Sequence, residues 1–101
     1  MMIVTVDGER MTITAEGHCG YAPHGQDIVC AGASMLLEAL MERCTRRDCL
    51  FDDSGAGDGY VFIHAIDCEP THWWFDLVVH GLQLLEEQYP DYIRVSIAYG
   101  S

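Results

Sequence analysis

Two stretches of this chain repeat their apolar side chains at helical spacing along one face, and such a helix is stable only when that stripe is buried. The first runs from Ile28 to about Arg46, with Val29, Ala33, Leu36, Leu37, Leu40, Met41 and Cys44 on the stripe. The second opens at Pro70 and Thr71 and runs to about Gln88, carrying Trp74, Leu77, Val78, Leu82 and Leu85. Tyr89-Pro90-Asp91 ends it, because proline cannot continue the hydrogen-bond ladder. The remaining segments supply a partner for both stripes. Residues 2–7 and 11–16 alternate apolar and polar positions around Asp7-Gly8, a hairpin signal, and Tyr60–Ile66 and Ile93–Ala98 read as two further strands. Cys49-Leu50-Phe51 reads as another short strand, and residues 53–59 as a turn. The pattern predicts an α+β, two-layer fold: a mostly antiparallel sheet of four to five strands with two helices packed on one face. At 101 residues, the expectation is one domain spanning 1–101 with one modest core.

The charge balance narrows the partners. Sixteen acidic residues stand against five arginines, and there is no lysine, giving a formal charge of -11. Such a surface repels phosphate backbones, so direct nucleic-acid binding is not expected, whereas a basic protein is an acceptable partner. Met1–Asp7 has neither the basic start nor the long apolar run of a signal peptide, and no stretch reaches membrane-spanning length. Five cysteines, an odd number without an export signal, fit reduced thiols in the cytoplasm.

One segment concentrates chemistry. Gly17-His18-Cys19-Gly20-Tyr21-Ala22-Pro23-His24-Gly25-Gln26-Asp27-Ile28-Val29-Cys30 links the second strand to the first helix. With Asp27 as helix cap, Cys30 is the third helical residue, where free N–H groups and the helix dipole favour a thiolate. The same N–H groups suit the oxyanion of a tetrahedral intermediate. His18 is within reach across the loop as base and then acid. Asp27 has two possible jobs, capping the helix or orienting the histidine, and capping fits its position better. Gly17, Gly20 and Gly25 give the loop freedom to move and to approach a peptide backbone closely. Ser34, one turn beyond Cys30, fits a bracing role better than a reactive one.

Competing readings of the same residues stand beside this one. A cysteine near a helix start is often simply core. His18, Cys19, His24 and Cys30 are ligand types that suit zinc, though no Cys-x2-Cys pair occurs. The acidic turn at 52–59 lacks the ligand spacing of a calcium loop. Cys44, Cys49 and Cys68 look structural; Trp73, Trp74 and Phe75 suit a core or dimer interface; His72 and His80 have no evident partner.

Gly17-His18, then Gly25-x-Asp27-Ile28-Val29-Cys30-Ala31, then Ser34, resembles the signature of the ribosomal-processing cysteine protease (Prp) family. A second block, Gly81-Leu82-Gln83-Leu84-Leu85-Glu86-Glu87-Gln88-Tyr89-Pro90-Asp91-Tyr92-Ile93, resembles that family's C-terminal helix and strand. The resemblance implies a cytoplasmic, homodimeric bacterial endopeptidase without a cofactor or metal. It would remove the N-terminal extension of large-subunit ribosomal protein twenty-seven by cutting after a hydrophobic motif. By position in the motif, Cys30 would be the nucleophile, His18 the base, Asp27 the acidic residue and Ser34 the helix-supporting hydroxyl. The loop from Gly17 through Gly20 and Gly25 would order around substrate. Cys19 departs from the pattern, which more usually has a small residue such as alanine, and it sets a second thiol beside the base with room for an oxidised Cys19–Cys30 state. Two alternatives remain: a non-catalytic dimeric binding module on ribosome-assembly proteins, and a small zinc-binding protein.

Overall fold

The structure, a computed structural model, describes residues 1–99. Five strands and two helices follow one another as β1 (Met2–Asp7), β2 (Thr12–Glu16), α1 (Ile28–Arg46), β3 (Gly55–Gly57), β4 (Tyr60–His64), α2 (Glu69–Gln88) and β5 (Ile93–Tyr99). The strands form one sheet in the order β3-β4-β2-β1-β5. Three neighbouring pairs are antiparallel, while β5 runs parallel to β1. The sheet is therefore mixed, with two helices packed against it in an α+β arrangement.

Alternation sorts the strands into two faces. Val4, Val6, Ile13, Ala15, Ile63 and Ile93 are buried beneath the helices. Val29, Ala33, Leu37, Leu40 and Cys44 come down from α1, and Phe75, Val78, Val79 and Leu82 from α2. Burying a side chain of this size contributes about 1.5–3 kcal/mol, so these residues hold the two layers together. The helices approach closely where Gly81 faces Leu36: a Cβ there would lie 2.9 Å from a Leu36 methyl. No helix among the described residues is long and apolar enough to cross a membrane.

Local chemistry explains the joints. Asp7 Oδ1 accepts the N–H groups of Glu9 and Arg10, each at 3.0 Å, and bends the chain between β1 and β2. Met11 completes this loop at φ +56°, with its side chain in the core, so β2 starts at Thr12. At the sheet's edge, Glu86 of α2 accepts the Val95 N–H at 2.8 Å, covering a donor that β5 would otherwise expose. At the head of α2, the buried Thr71 hydroxyl donates to Ile66 O at 2.6 Å and accepts from Cys68 N.

Three details differ from the sequence reading. Gly55–Gly57, read as part of a turn, is an edge strand paired with β4; it has no β-branched side chain and pairs through backbone alone. Cys49-Leu50-Phe51 makes only the isolated bridge Leu50–Ala65, because Ser54 Oγ takes over the next backbone donor, His64 N, at 2.9 Å. His72, read as lacking a partner, pairs with Asp67.

Candidate active site

The site lies where β2 hands over to α1. The first joint is Gly17, at φ +87°, whose N–H donates to Gly59 O at 2.8 Å. A Cβ at Gly17 would sit 2.7 Å from the Met1 carbonyl oxygen, so only glycine fits. The bond to Gly59 draws in the β3–β4 turn, because the pairing Glu16–Tyr60 sets Asp58-Gly59 directly beside Gly17-His18. His18 Nε2 then meets Asp58 Oδ1 at 3.3 Å, with Gly59 close beneath the ring. This pair is open to water, the side chains being 57% and 95% exposed.

The next residues fasten the loop. Cys19 turns inward and is only 2% exposed. Burial, together with the neighbouring Cys30 and Asp27, raises its thiol pKa from 9.0 to about 12, so it stays protonated at neutral pH. Tyr21 packs edge-on against Tyr89 and Tyr92, with centroids 5.5 and 5.2 Å away, anchoring the loop to the end of α2. Beyond it, residues 23–26 form an exposed turn closed by Gln26 N donating to Pro23 O, and Gly25 at φ +88° has open space around it.

Asp27 joins loop to helix. Its Oδ1 accepts Cys30 N at 2.8 Å and its Oδ2 accepts Tyr21 N at 3.0 Å. Burial pushes this carboxyl upward, but backbone donors from Cys30, Tyr21, Ala22 and Val29 outweigh it, and the pKa falls below the ordinary value. Asp27 is thus the helix cap and does not touch His18. One expectation narrows as a result. The Cys30 N–H is committed to Asp27, and the Ala31 N–H to the Asp27 carbonyl, so neither is free for an oxyanion.

A groove of about 630 Å³ opens over these residues. Cys30 and Ser34 of α1 line it together with His18 and Asp58, and with His24 and Gly25 of the loop. Among the described residues no hydrogen bond joins His18 to Cys30; the imidazole faces Asp58 instead. Ser34 lines the groove one turn after Cys30. The arrangement offers a half-buried thiol at a helix N-terminus, an imidazole lining the same groove and space for an extended peptide. Among the described residues no three histidine, cysteine or acidic side chains are grouped to hold a metal ion, so His18, Cys19, His24 and Cys30 do not converge as zinc ligands.

Sequence reasoning missed Asp58, which it assigned to a turn. The signal existed only in the strand register: once Glu16 is paired with Tyr60, the turn before β4 must lie beside the residues after β2.

Known proteins resemble this chain in sequence and in fold. Residues 1–94 match the family described as cysteine protease Prp. The ribosomal processing cysteine protease Prp of Staphylococcus aureus (strain Mu50 / ATCC 700699) is 30% identical over 100 residues, covering 92% of each chain. Among solved structures, an essential ribosomal processing protease Prp from S. aureus in complex with a covalently linked product peptide superposes with a TM-score of 0.85 at 25% identity, covering 96% of this chain and 99% of that one. The S. aureus protease in complex with a substrate peptide superposes with a TM-score of 0.74 at 25% identity, covering 95% and 96%.

Proposed function

This chain belongs to the cysteine protease Prp family, and from that premise we propose that it removes the N-terminal extension of large-subunit ribosomal protein twenty-seven by Cys-His peptide hydrolysis. The observation that carries the reading is one groove lined by both Cys30, in the first turn of α1, and His18. That relatives of the same fold hold substrate and product peptides supports reading the groove as a peptide site.

In this mechanism the Cys30 thiolate attacks the scissile carbonyl, with the dipole of α1 favouring its charge. His18 first holds the thiol proton and then delivers it to the leaving amine. Water, with its proton taken by His18, hydrolyses the thioester and frees Cys30. His18 must turn from Asp58 toward Cys30 for the first step, and the exposed turn at 23–26 with Gly20 and Gly25 is the part of the loop with room to fold over a bound peptide. Asp27 fixes the helix start and Ser34 forms the groove wall behind the nucleophile. Asp58 supplies the negative charge that orients the imidazole between turnovers. We assign the whole chain, residues 1–101, to one protease domain, acting as a cytoplasmic homodimer on a basic ribosomal precursor that suits its charge of -11.

The test is incubation with a peptide spanning the extension of the same cell's ribosomal protein, followed by mass spectrometry. Cleavage at one bond is expected, abolished in Cys30→Ala and mostly kept in Cys19→Ala. The opposite pattern would overturn the assignment, and binding without cleavage would leave a non-catalytic module.

A further inference from the structure

Cys19 has no part in the hydrolysis described above, yet it is the buried thiol nearest to the chemistry. It belongs to the core cluster, and Cys30 packs against that cluster from the groove. The two thiols are near enough for Cys30 to help raise the Cys19 thiol. One carboxylate holds their segments together, since Asp27 takes Tyr21 N with one oxygen and Cys30 N with the other. Both thiols are free. They differ in access: Cys30 lines the groove, whereas Cys19 is shielded from solvent.

We propose that Cys19 is a resolving thiol for Cys30, making the site a reversible target for peroxides. The inference rests on Cys30 being the reactive thiol of the proposed function. An exposed thiolate oxidised by a peroxide passes through a sulfenic acid and, when nothing intercepts it, reaches the sulfinic acid that thiols do not reduce. Here a second thiol is held close by, two residues before Tyr21, whose segment Asp27 ties to the start of α1. In the first step the Cys30 sulfur attacks one peroxide oxygen, the O–O bond breaks and the other oxygen leaves as hydroxide. In the second, the Cys19 sulfur attacks the sulfur of the sulfenic acid; its proton leaves with the hydroxyl as water, and the disulfide forms. Two thiols and one hydrogen peroxide thus yield one disulfide and two waters. Its burial away from the groove keeps Cys19 from competing as a nucleophile toward substrate.

Two consequences separate this role from mere packing. Oxidation silences Cys30 without destroying it, and the resulting bond pins the loop to α1 across Asp27. The experiment is titration of the reduced full chain with hydrogen peroxide, then peptide mapping without reductant and alkylation of Cys30 before and after dithiothreitol. The expected products are a linked Cys19–Cys30 peptide and nearly full return of Cys30 alkylation on reduction. In Cys19→Ala, Cys30 is expected to accumulate as sulfinic acid, with most of its alkylation lost for good. Cys19→Ser, close in volume, gives the same comparison if the alanine variant folds poorly. Wild-type protein that accumulates Cys30 sulfinic acid as fast as Cys19→Ala, with no linked peptide, would overturn the proposal. These readouts need no substrate: a chain that forms the disulfide but never cleaves the peptide fails the proposed function alone, and one that cleaves without forming it fails only here.

Discussion

His18 and Cys30 share a groove but are held by different forces, and this difference sets what each substitution does. Cys30 is placed by a local device, the cap of Asp27 three residues earlier, which is why the sequence alone locates it. His18 is held by Asp58, forty residues away in the chain, and no local pattern announces that pair. Because both side chains stand in water, the pair is worth little and is screened by salt. Asp58→Asn should therefore lower peptide cleavage by only about fivefold or less, and 0.5 M salt, on the order of a 4–5 Å Debye length, should bring the wild type close to the variant. A thousandfold loss in steady-state assays would show that Asp58 does more than orient. The buried thiols give a second prediction. Burial raises Cys44 to about 11, as it helps raise Cys19 to about 12. A raised folded-state pKa stabilises fully below the ordinary 9.0 and is lost as pH climbs through the raised values. Thermal melts should stay level up to about pH 9, fall as pH rises from 9 through about 11 to 12, and lose no more to these thiols beyond that. Iodoacetamide at pH 8, about half a unit below an ordinary thiol pKa, should spare both thiols until the chain is unfolded in urea.

The loop between β2 and α1 was legible as glycine-rich, but its glycines serve different ends. Gly17 is fixed by a backbone collision with Met1 and by its bond to Gly59, whereas Gly25 has a similar φ with nothing nearby. Gly17→Ala should cost roughly 2 kcal/mol or more in urea denaturation and disturb His18 as well; Gly25→Ala should cost about 1 kcal/mol, from backbone conformation alone. Equal costs would mean that the Met1 contact is unimportant. Composition suggested mobility across the whole loop, yet Cys19 and Tyr21 are packed, so only the outer turn is free of side-chain anchors. The helices were readable from period because each buries one stripe. β3 was not, since two glycines and an alanine carry no strand signal and its place comes from β4.

Across the molecule, the two-layer plan follows from the sequence because β1, β2 and β5 alternate apolar with polar residues and both helices are one-sided. The direction of β5 does not follow, since pairing between distant segments leaves no local trace. Layer packing predicts a contrast on one helix. Leu82 is fully buried and Leu77 is 71% exposed. Leu82→Ala should destabilise by about 2–5 kcal/mol, and Leu77→Ala should stay within about 0.5 kcal/mol, both by chemical denaturation. A large loss for Leu77→Ala that depends on protein concentration would instead place it in a subunit contact. The parallel pairing of β1 with β5 has a further consequence. Met2 lies opposite Ile93, so the outermost ladder of the sheet closes a loop of about ninety residues. Such distant partners make for slow folding, because chain entropy is lost before the contacts form. During synthesis β1 would emerge first and wait for its last neighbour, so the groove carrying Cys30 and His18 would be assembled only after nearly the whole chain had left the ribosome.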